Sequence, residues 1–423
     1  MVSLHLFGLA NAGPALVEGV DASRIGAAAL SLGLTSGAMV WLRVRGQRRR
    51  DPQAMTTDLV SDRALGRATL ARQLLLERSA LAAVDAIEHL VGLQAQNPMD
   101  PYLALWSRLE PFDPVGVGES MEQRRLVRIV VMRGTIHLLT GDDALALRPL
   151  MQPALDAELA RHGEFAPFLV DVDLDPVLAY ARQILSDDAL SGSRLRVALA
   201  SRFPDLHAPA LATACRCLLP LVQVPPRGVW GRTKQVTSTL LDSWLGRPMR
   251  LDSTLDEVVV RYLAAFGPAS TADVATWCRL SGLGEVVERL RSRLRTFRNE
   301  AGRTLYDLPE APRPDPDTPA PVRFLPEYDN LLLSHADRAR FVADRRSFAN
   351  ASGPFKGSVL VDGAVGAVWH PTVDRRARRA TMVVEHLRLG ARARSELEAE
   401  AHRTAGFWLP PGHGRDVRLL AVA

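Results

Sequence analysis

Gln94 and Gln96 place two neutral carboxamides one residue apart in the stretch Gly92-Leu93-Gln94-Ala95-Gln96-Asn97-Pro98. Each carboxamide offers two N–H donors and one carbonyl acceptor, and neither titrates. Such a pair can orient a water and solvate an electron-poor carbon without drawing a proton or repelling a cation. On an extended segment the two side chains project to the same side. At a helix end, where Pro98 pushes the preceding residue toward extended geometry, they could also converge on one point. Taken alone, the spacing equally suits two amides capping a helix C-terminus.

Other residues carry chemistry at more distance. His335, Asp337 and Arg338 form a second cluster that could contact a polyanion or support a site, or simply be an Asp–Arg pair with a surface histidine. Arg133 and Thr135 flank a glycine in a turn, and His137 alternates with apolar residues as a strand histidine would. Asp100 lies just beyond the glutamine pair and reads as a solvated loop carboxylate that could assist. Cys215, Cys217 and Cys278 are too few for a disulfide framework, which favours a reducing cytosol. No second Cys/His pair completes a tetrahedral zinc set, and no P-loop or dinucleotide fingerprint is present, so neither a metal nor a cofactor is expected.

Composition narrows the class. With 47% hydrophobic and 23% charged residues the chain reads as globular rather than disordered. The net charge of +5 is too small for a global field, so a nucleic-acid role must rest on local patches. Residues 1–54 read as an extension that is disordered, weakly hydrophobic or a mis-assigned start ahead of Met55. Taken literally, residues 25–42 are a marginal membrane-spanning run with a basic flank, and only then is a membrane partner expected.

From Met55 onward, helical periodicity alternates with β-branched runs. Helices are expected over 67–78, 83–93 and 118–128, followed by strands within 126–139 that break at Arg133-Gly134. The pattern repeats with helices over 176–185, 193–201 and 208–219 and a hairpin over 221–234. It repeats again with a helix over 255–266, a second capped by Ser270 with Asp273 three residues on, and a third over 285–294. Strands at 295–298 and 304–308 close that unit. Helices followed by a hairpin are the ingredients of a winged helix. The expected class is therefore α+β: three tandem winged-helix units over 55–150, 151–245 and 246–310, a Pro-rich linker over 311–321, and a barrel-like β domain with a terminal helix over 322–423. The last helix of the third unit carries Arg289, Arg291 and Arg293, and seven arginines against three glutamates between Arg279 and Arg303 make it, with the following hairpin, a candidate phosphate-contacting surface. A solvated helix face would look the same.

Several blocks fall in a fixed order: Leu93-Gln94-Ala95-Gln96 with Pro98 and Pro101-Tyr102; Met132-Arg133-Gly134-Thr135-Ile136-His137-Leu138; Pro225-Pro226-Arg227-Gly228-Val229-Trp230-Gly231; and Leu325-Pro326-Glu327-Tyr328-Asp329, continuing to Ser334-His335-Ala336-Asp337-Arg338. Together, from about Met55 to the C-terminus, they resemble the AlkZ-type winged-helix DNA glycosylases. The resemblance implies hydrolysis of the N-glycosidic bond of alkylated purines such as N7-alkylguanine, with bulky adducts or interstrand crosslinks as further substrates. The setting would be DNA repair or self-resistance to a DNA-alkylating natural product. It implies that Gln94 and Gln96 are the catalytic residues, in the Gln–apolar–Gln branch of the family. It also raises His335, Asp337 and Arg338 as DNA contacts or active-site support. Arg133 and Thr135 fall on the first wing, near DNA, and a monomer acting on double-stranded DNA is the expected working form.

Physical chemistry agrees with that reading. Alkylation at N7 leaves guanine cationic and already a good leaving group, so the barrier lies in an oxocarbenium-like sugar and a placed water. A Schiff-base lyase needs a nucleophilic amine, and Lys234 and Lys356 are the only lysines, which points to a monofunctional glycosylase. The competing reading is a winged-helix transcription regulator, which the same helix-and-wing units would also fit. No heptad run or dimerisation helix supports it.

Overall fold

The computed structural model describes residues 58–342 and 356–422. The apolar run at 25–42 lies outside them, and no described helix is long and apolar enough to cross a membrane. The fold is mixed α+β and its described strands form three sheets.

The largest sheet is antiparallel, in the order Leu93–Gln94, Ile136–Thr140, Leu126–Val130, Leu221–Gln223, Thr237–Leu240, Leu190–Ser191. The β-branched run at 126–139 gives its first hairpin, split by the turn Met132–Gly134. The second expected hairpin differs. Only Leu221–Gln223 forms within 221–234, and its partner is Thr237–Leu240. The intervening prolines cannot donate to a ladder, which delays the return strand. Arg128 pairs with Gln223, so the two hairpins share one sheet and one core built on Val127, Ile129, Leu139, Leu145 and Val222.

Two capping boxes start the next helices. Thr254 with Glu257 begins Leu255–Phe266, and Ser270 with Asp273 begins Thr271–Cys278. The following helix is Leu283–Leu290, with Leu283, Val286, Val287 and Leu290 buried. It ends earlier than the periodicity suggests, because Arg291–Arg293 tighten into a 3-10 turn before the strand Arg295–Asn299. That strand pairs with Thr304–Asp307 and, on its other side, in parallel with Asp58–Val60. A three-residue strand is too short to show alternation in the sequence.

The first helix is Asp62–Arg72 rather than 67–78, because Leu74 takes a φ of 57° and ends it. Its polar side chains fasten it to distant segments. Arg72 binds Asp307 and the Leu263 carbonyl, Gln73 donates to the Ala265 carbonyl, and Arg67 reaches Asp362 and the Thr318 carbonyl. The proline-rich stretch is held by the same helix, since the Pro312 carbonyl also accepts from Arg72.

The C-terminal sheet runs Arg323–Leu325, Gly357–Val361, Ala364–Asp374, Arg379–His386, Gly414–Ala421. Asp362-Gly363, with φ of 48° and 80°, makes the two-residue mirror-image turn that suits twisted strands. The last two strands are parallel, and the helix Ala391–Trp408 supplies the crossover such a pair requires. Leu397, Ala401 and Ala405 of that helix pack on Phe324, Val359, Trp369 and Met382. Barrel-like closure is not what the described residues show: the sheet is open, and its two outer strands do not pair. The outer strand Arg323–Leu325 is covered instead, with the Phe324 carbonyl taken by the Ser107 hydroxyl and the Leu325 carbonyl by Trp369 Nε1.

Candidate active site

The glutamine pair owes its placement to a reversal just before it. Helix Ala83–His89 ends, Val91 adopts a φ of 54°, and the Gly92 N–H returns to the Ile87 carbonyl at 2.8 Å. Gly92 has a φ of +89°, and a Cβ there would stand 2.3 Å from Leu139 Cδ2, so only glycine fits without displacement. The chain then enters the strand Leu93–Gln94 at the edge of the large sheet. Gln94 therefore sits on a strand opposite His137, not at a helix end. Ala95 continues the ladder with a 2.7 Å bond to the Ile136 carbonyl. Beyond it the Gln96 side chain takes over, its Oε1 accepting a long 3.4 Å contact from the Ile136 N–H.

The two amides occupy different environments. Gln94 is 5% exposed, whereas Gln96 is exposed. Arg133 Nη2 donates to Gln94 Oε1 at 2.6 Å. A guanidinium can only donate, so this contact fixes the amide with its oxygen inward. The Gln94 NH2 makes no hydrogen bond among the described residues. The backbone is clamped as well: Asn330 accepts from the Gln94 N–H at 3.2 Å and donates to the Gly92 carbonyl at 2.6 Å. Arg128 completes the support by donating to the Ala95 carbonyl at 2.7 Å. Asn330 went unnoticed in the sequence; its only signal was its position directly after the Leu325–Asp329 block.

Arg133, expected at DNA, turns inward. Its Nη1 donates to the Trp277 carbonyl at 2.8 Å, and Nη2 also meets His137 Nε2 at 3.0 Å. His137 Nδ1 faces the Thr135 carbonyl at 3.0 Å, so the proton sits on Nδ1 and Nε2 accepts from Arg133. Burial and the Arg133 charge push His137 down to about 3, and it is neutral at physiological pH. Burial, then Arg279 and Arg338, lower Arg133 to about 10, still charged. Thr135 is half-buried and its hydroxyl donates to the Met132 carbonyl.

The 335–338 cluster divides. His335 is 1% exposed, with Nε2 donating to the Phe266 carbonyl at 3.1 Å, and burial with the nearby Arg340 charge pushes its pKa down. It has no surface to offer DNA, and the expectation of a contact there is corrected: the imidazole fastens this loop to the helix Leu255–Phe266. The Ala336 N–H ties it to the next helix, Thr271–Cys278, by donating to Asp273. Asp337 pairs with Arg303 at 3.3 Å, and Arg338 is exposed. In the third helix-and-hairpin region, Arg289 pairs with Asp256, Arg291 with Glu288, and Arg293 is exposed. Trp106 and Trp230 both stack on Phe407, at 4.5 and 5.2 Å, and both are half-buried. The three cysteines are buried, and no metal-binding group of His, Cys, Asp or Glu occurs among the described residues.

Asp100 departs most from expectation. It opens the helix Asp100–Trp106, is 4% exposed, and its Oδ2 has no hydrogen-bond partner among the described residues. Burial, then Glu327 and Asp329, raises it to about 8, so it carries a proton at neutral pH. Tyr328 beside them is pushed up to about 12 by burial and Glu327. The unfolded chain loses the Asp100 proton near pH 4 while the folded chain keeps it to about 8, so this group makes stability fall as pH rises through that window. Asp100→Asn is expected to remove that slope and to raise stability at pH 8 by roughly 1–3 kcal/mol, with little change near pH 4. Urea unfolding of both proteins across this range checks it; parallel pH profiles would contradict it.

The architecture thus presents one locked and one exposed amide at a sheet edge, backed by an inward arginine. A family model described as DNA glycosylase AlkZ-like matches residues 87–407, and the chain belongs to that family. It is an enzyme, and its substrate is DNA. It is 27% identical over 323 residues to the interstrand DNA cross-link repair glycosylase of Streptomyces sahachiroi, covering 70% of this chain and 84% of that protein. The solved structure of Streptomyces sahachiroi DNA glycosylase AlkZ has the same fold, with a TM-score of 0.66 at 22% identity over 85% of this chain and 100% of that one.

Proposed function

We propose that this enzyme hydrolyses the N-glycosidic bond of alkylated purines in double-stranded DNA, with N7-alkylguanine as the type substrate and Gln94 and Gln96 as the catalytic pair. The observation that carries this is the fixed polarity of Gln94. Its oxygen is tied to Arg133 and its NH2 is left to donate, while Gln96 presents an exposed amide beside it. A cationic purine leaves without prior protonation, so no acid is needed at the base. The amides then hold the attacking water and solvate the sugar. Exposed Arg338 and Arg293 supply phosphate contacts that position the duplex without reading sequence. The helix-and-hairpin regions act as three winged helices around that duplex, and the enzyme works as a monomer. The name of the Streptomyces sahachiroi relative, interstrand DNA cross-link repair glycosylase, supports extending the reading to crosslinks. Bulky adducts belong to the same proposed reaction class, in general repair or in self-resistance.

The reaction is monofunctional. Lys356 is paired with Glu385 at 2.8 Å, and Lys234 is exposed in the loop ahead of Thr237–Leu240, on a different segment from the glutamine strand. Purified protein incubated with N7-methylguanine DNA, then heated or treated with alkali, is expected to leave strand breaks at the modified guanines, and borohydride is expected to trap no adduct. Intact methylated and crosslinked DNA, together with protection of a defined sequence, would replace this reading with that of a transcription regulator.

A further inference from the structure

We infer that Arg133 is a positioning residue that acts through Gln94, fixing the orientation of its amide, and is not a DNA contact. The inference rests on the catalytic assignment of Gln94 above. Arg133 stands in the hairpin turn Met132–Gly134 with a φ of 58°, a left-handed conformation that costs a non-glycine residue energy and persists where surrounding contacts hold it. Three contacts hold it here. One terminal nitrogen binds the Trp277 carbonyl at 2.8 Å, and the other is shared between Gln94 Oε1 at 2.6 Å and His137 Nε2 at 3.0 Å. The planar guanidinium is thereby held at three points, and a freely rotating ammonium could not reproduce them.

His137 has a matching part. Its Nδ1 proton is committed to the Thr135 carbonyl, which leaves Nε2 as an acceptor facing the arginine. A protonated imidazole there would face a guanidinium 3.0 Å away, so the histidine is kept neutral and completes the cradle. With the oxygen of Gln94 drawn inward, its NH2 must face outward. Rotating the amide by half a turn would set NH2 against the guanidinium, donor against donor. Arg133 therefore selects one of two otherwise equivalent amide orientations. The cation also lies behind the amide, where it polarises Gln94 and makes its N–H groups better donors.

The experiment compares Arg133→Ala, Arg133→Lys, Gln94→Ala and the double variant Arg133→Ala/Gln94→Ala on N7-methylguanine DNA under single turnover at saturating enzyme. Arg133→Ala is expected to slow base release about 10²-fold. DNA affinity and its salt dependence are expected to stay as in the wild type, and added guanidinium ion to restore part of the rate. Arg133→Lys is expected to fall between, and the double variant to be no slower than Gln94→Ala. Selective 15N labelling gives a readout that does not need turnover: the side-chain NH2 signals of Gln94 are expected to shift in Arg133→Ala and in Arg133→Lys. Wild-type release at saturation with weaker binding and a salt slope reduced by about one would make Arg133 a phosphate contact and overturn the inference. So would unmoved Gln94 signals in a folded variant. Full activity of Gln94→Ala would instead remove the catalytic assignment itself, an outcome seen in that variant alone.

Discussion

Replacing Arg108 with leucine is expected to cost about 3–5 kcal/mol of stability, the largest effect of any single change considered. Both side chains of the Arg108–Asp329 pair are fully buried, and the guanidinium binds the carboxylate through two bonds of 2.8 and 2.7 Å. Leucine fills much of the space but leaves Asp329 charged and buried without its partner. The loss is a large share of the roughly 5–15 kcal/mol that holds a typical domain. It also reaches the proposed active site, because Asp329 caps the short helix Asn330–Leu333 and Asn330 clamps the glutamine strand. Urea unfolding at neutral pH measures the cost, and Arg108→Leu combined with Asp329→Asn is expected to recover part of it. A midpoint for Arg108→Leu equal to the wild type's would show that the pair does not hold this loop.

The second large effect is on catalysis. Gln94→Ala and Gln96→Ala are each expected to lower the rate of base release about 10²–10³-fold, the range seen when one aimed donor is removed from a transition-state site. Their side effects should differ. Gln94 is buried and bonded to Arg133, so its loss strands a guanidinium donor and is expected to lower stability by about 1–3 kcal/mol. Gln96 is exposed with one long contact, and its alanine variant should unfold as the wild type does. Equal stability losses, or a Gln96→Ala enzyme that keeps its rate, would separate the exposed amide from the chemistry.

Local signals in the sequence were read correctly where the physics is local. Ser270 with Asp273 forms both halves of its capping box. The β-branched run at 126–139 is a hairpin. The rest depended on partners far along the chain. Nothing near Gln94 says that the reversal at Gly92 puts it on a strand, because the fit depends on Leu139. Asp100 looked like a loop carboxylate and is buried, within the electrostatic reach of Glu327 and Asp329, more than two hundred residues later in the chain. His335 looked like a polar contact beside Asp337 and Arg338, yet its ring closes against the Phe266 carbonyl. Arg133 was expected near DNA, but its contacts run inward to Gln94 and to the Trp277 carbonyl, on a helix of another region. Motifs mark candidate residues; long-range packing decides what each one touches.

The central claim is that the glutamine pair releases an alkylated base as a free molecule. Chromatography of the free base after incubation with N7-methylguanine DNA tests it most directly, comparing wild type with Gln94→Ala/Gln96→Ala at enzyme concentrations that saturate DNA binding for both. The account predicts free 7-methylguanine from the wild type and none above the spontaneous background from the double variant. Release by the double variant at the wild-type rate would contradict it.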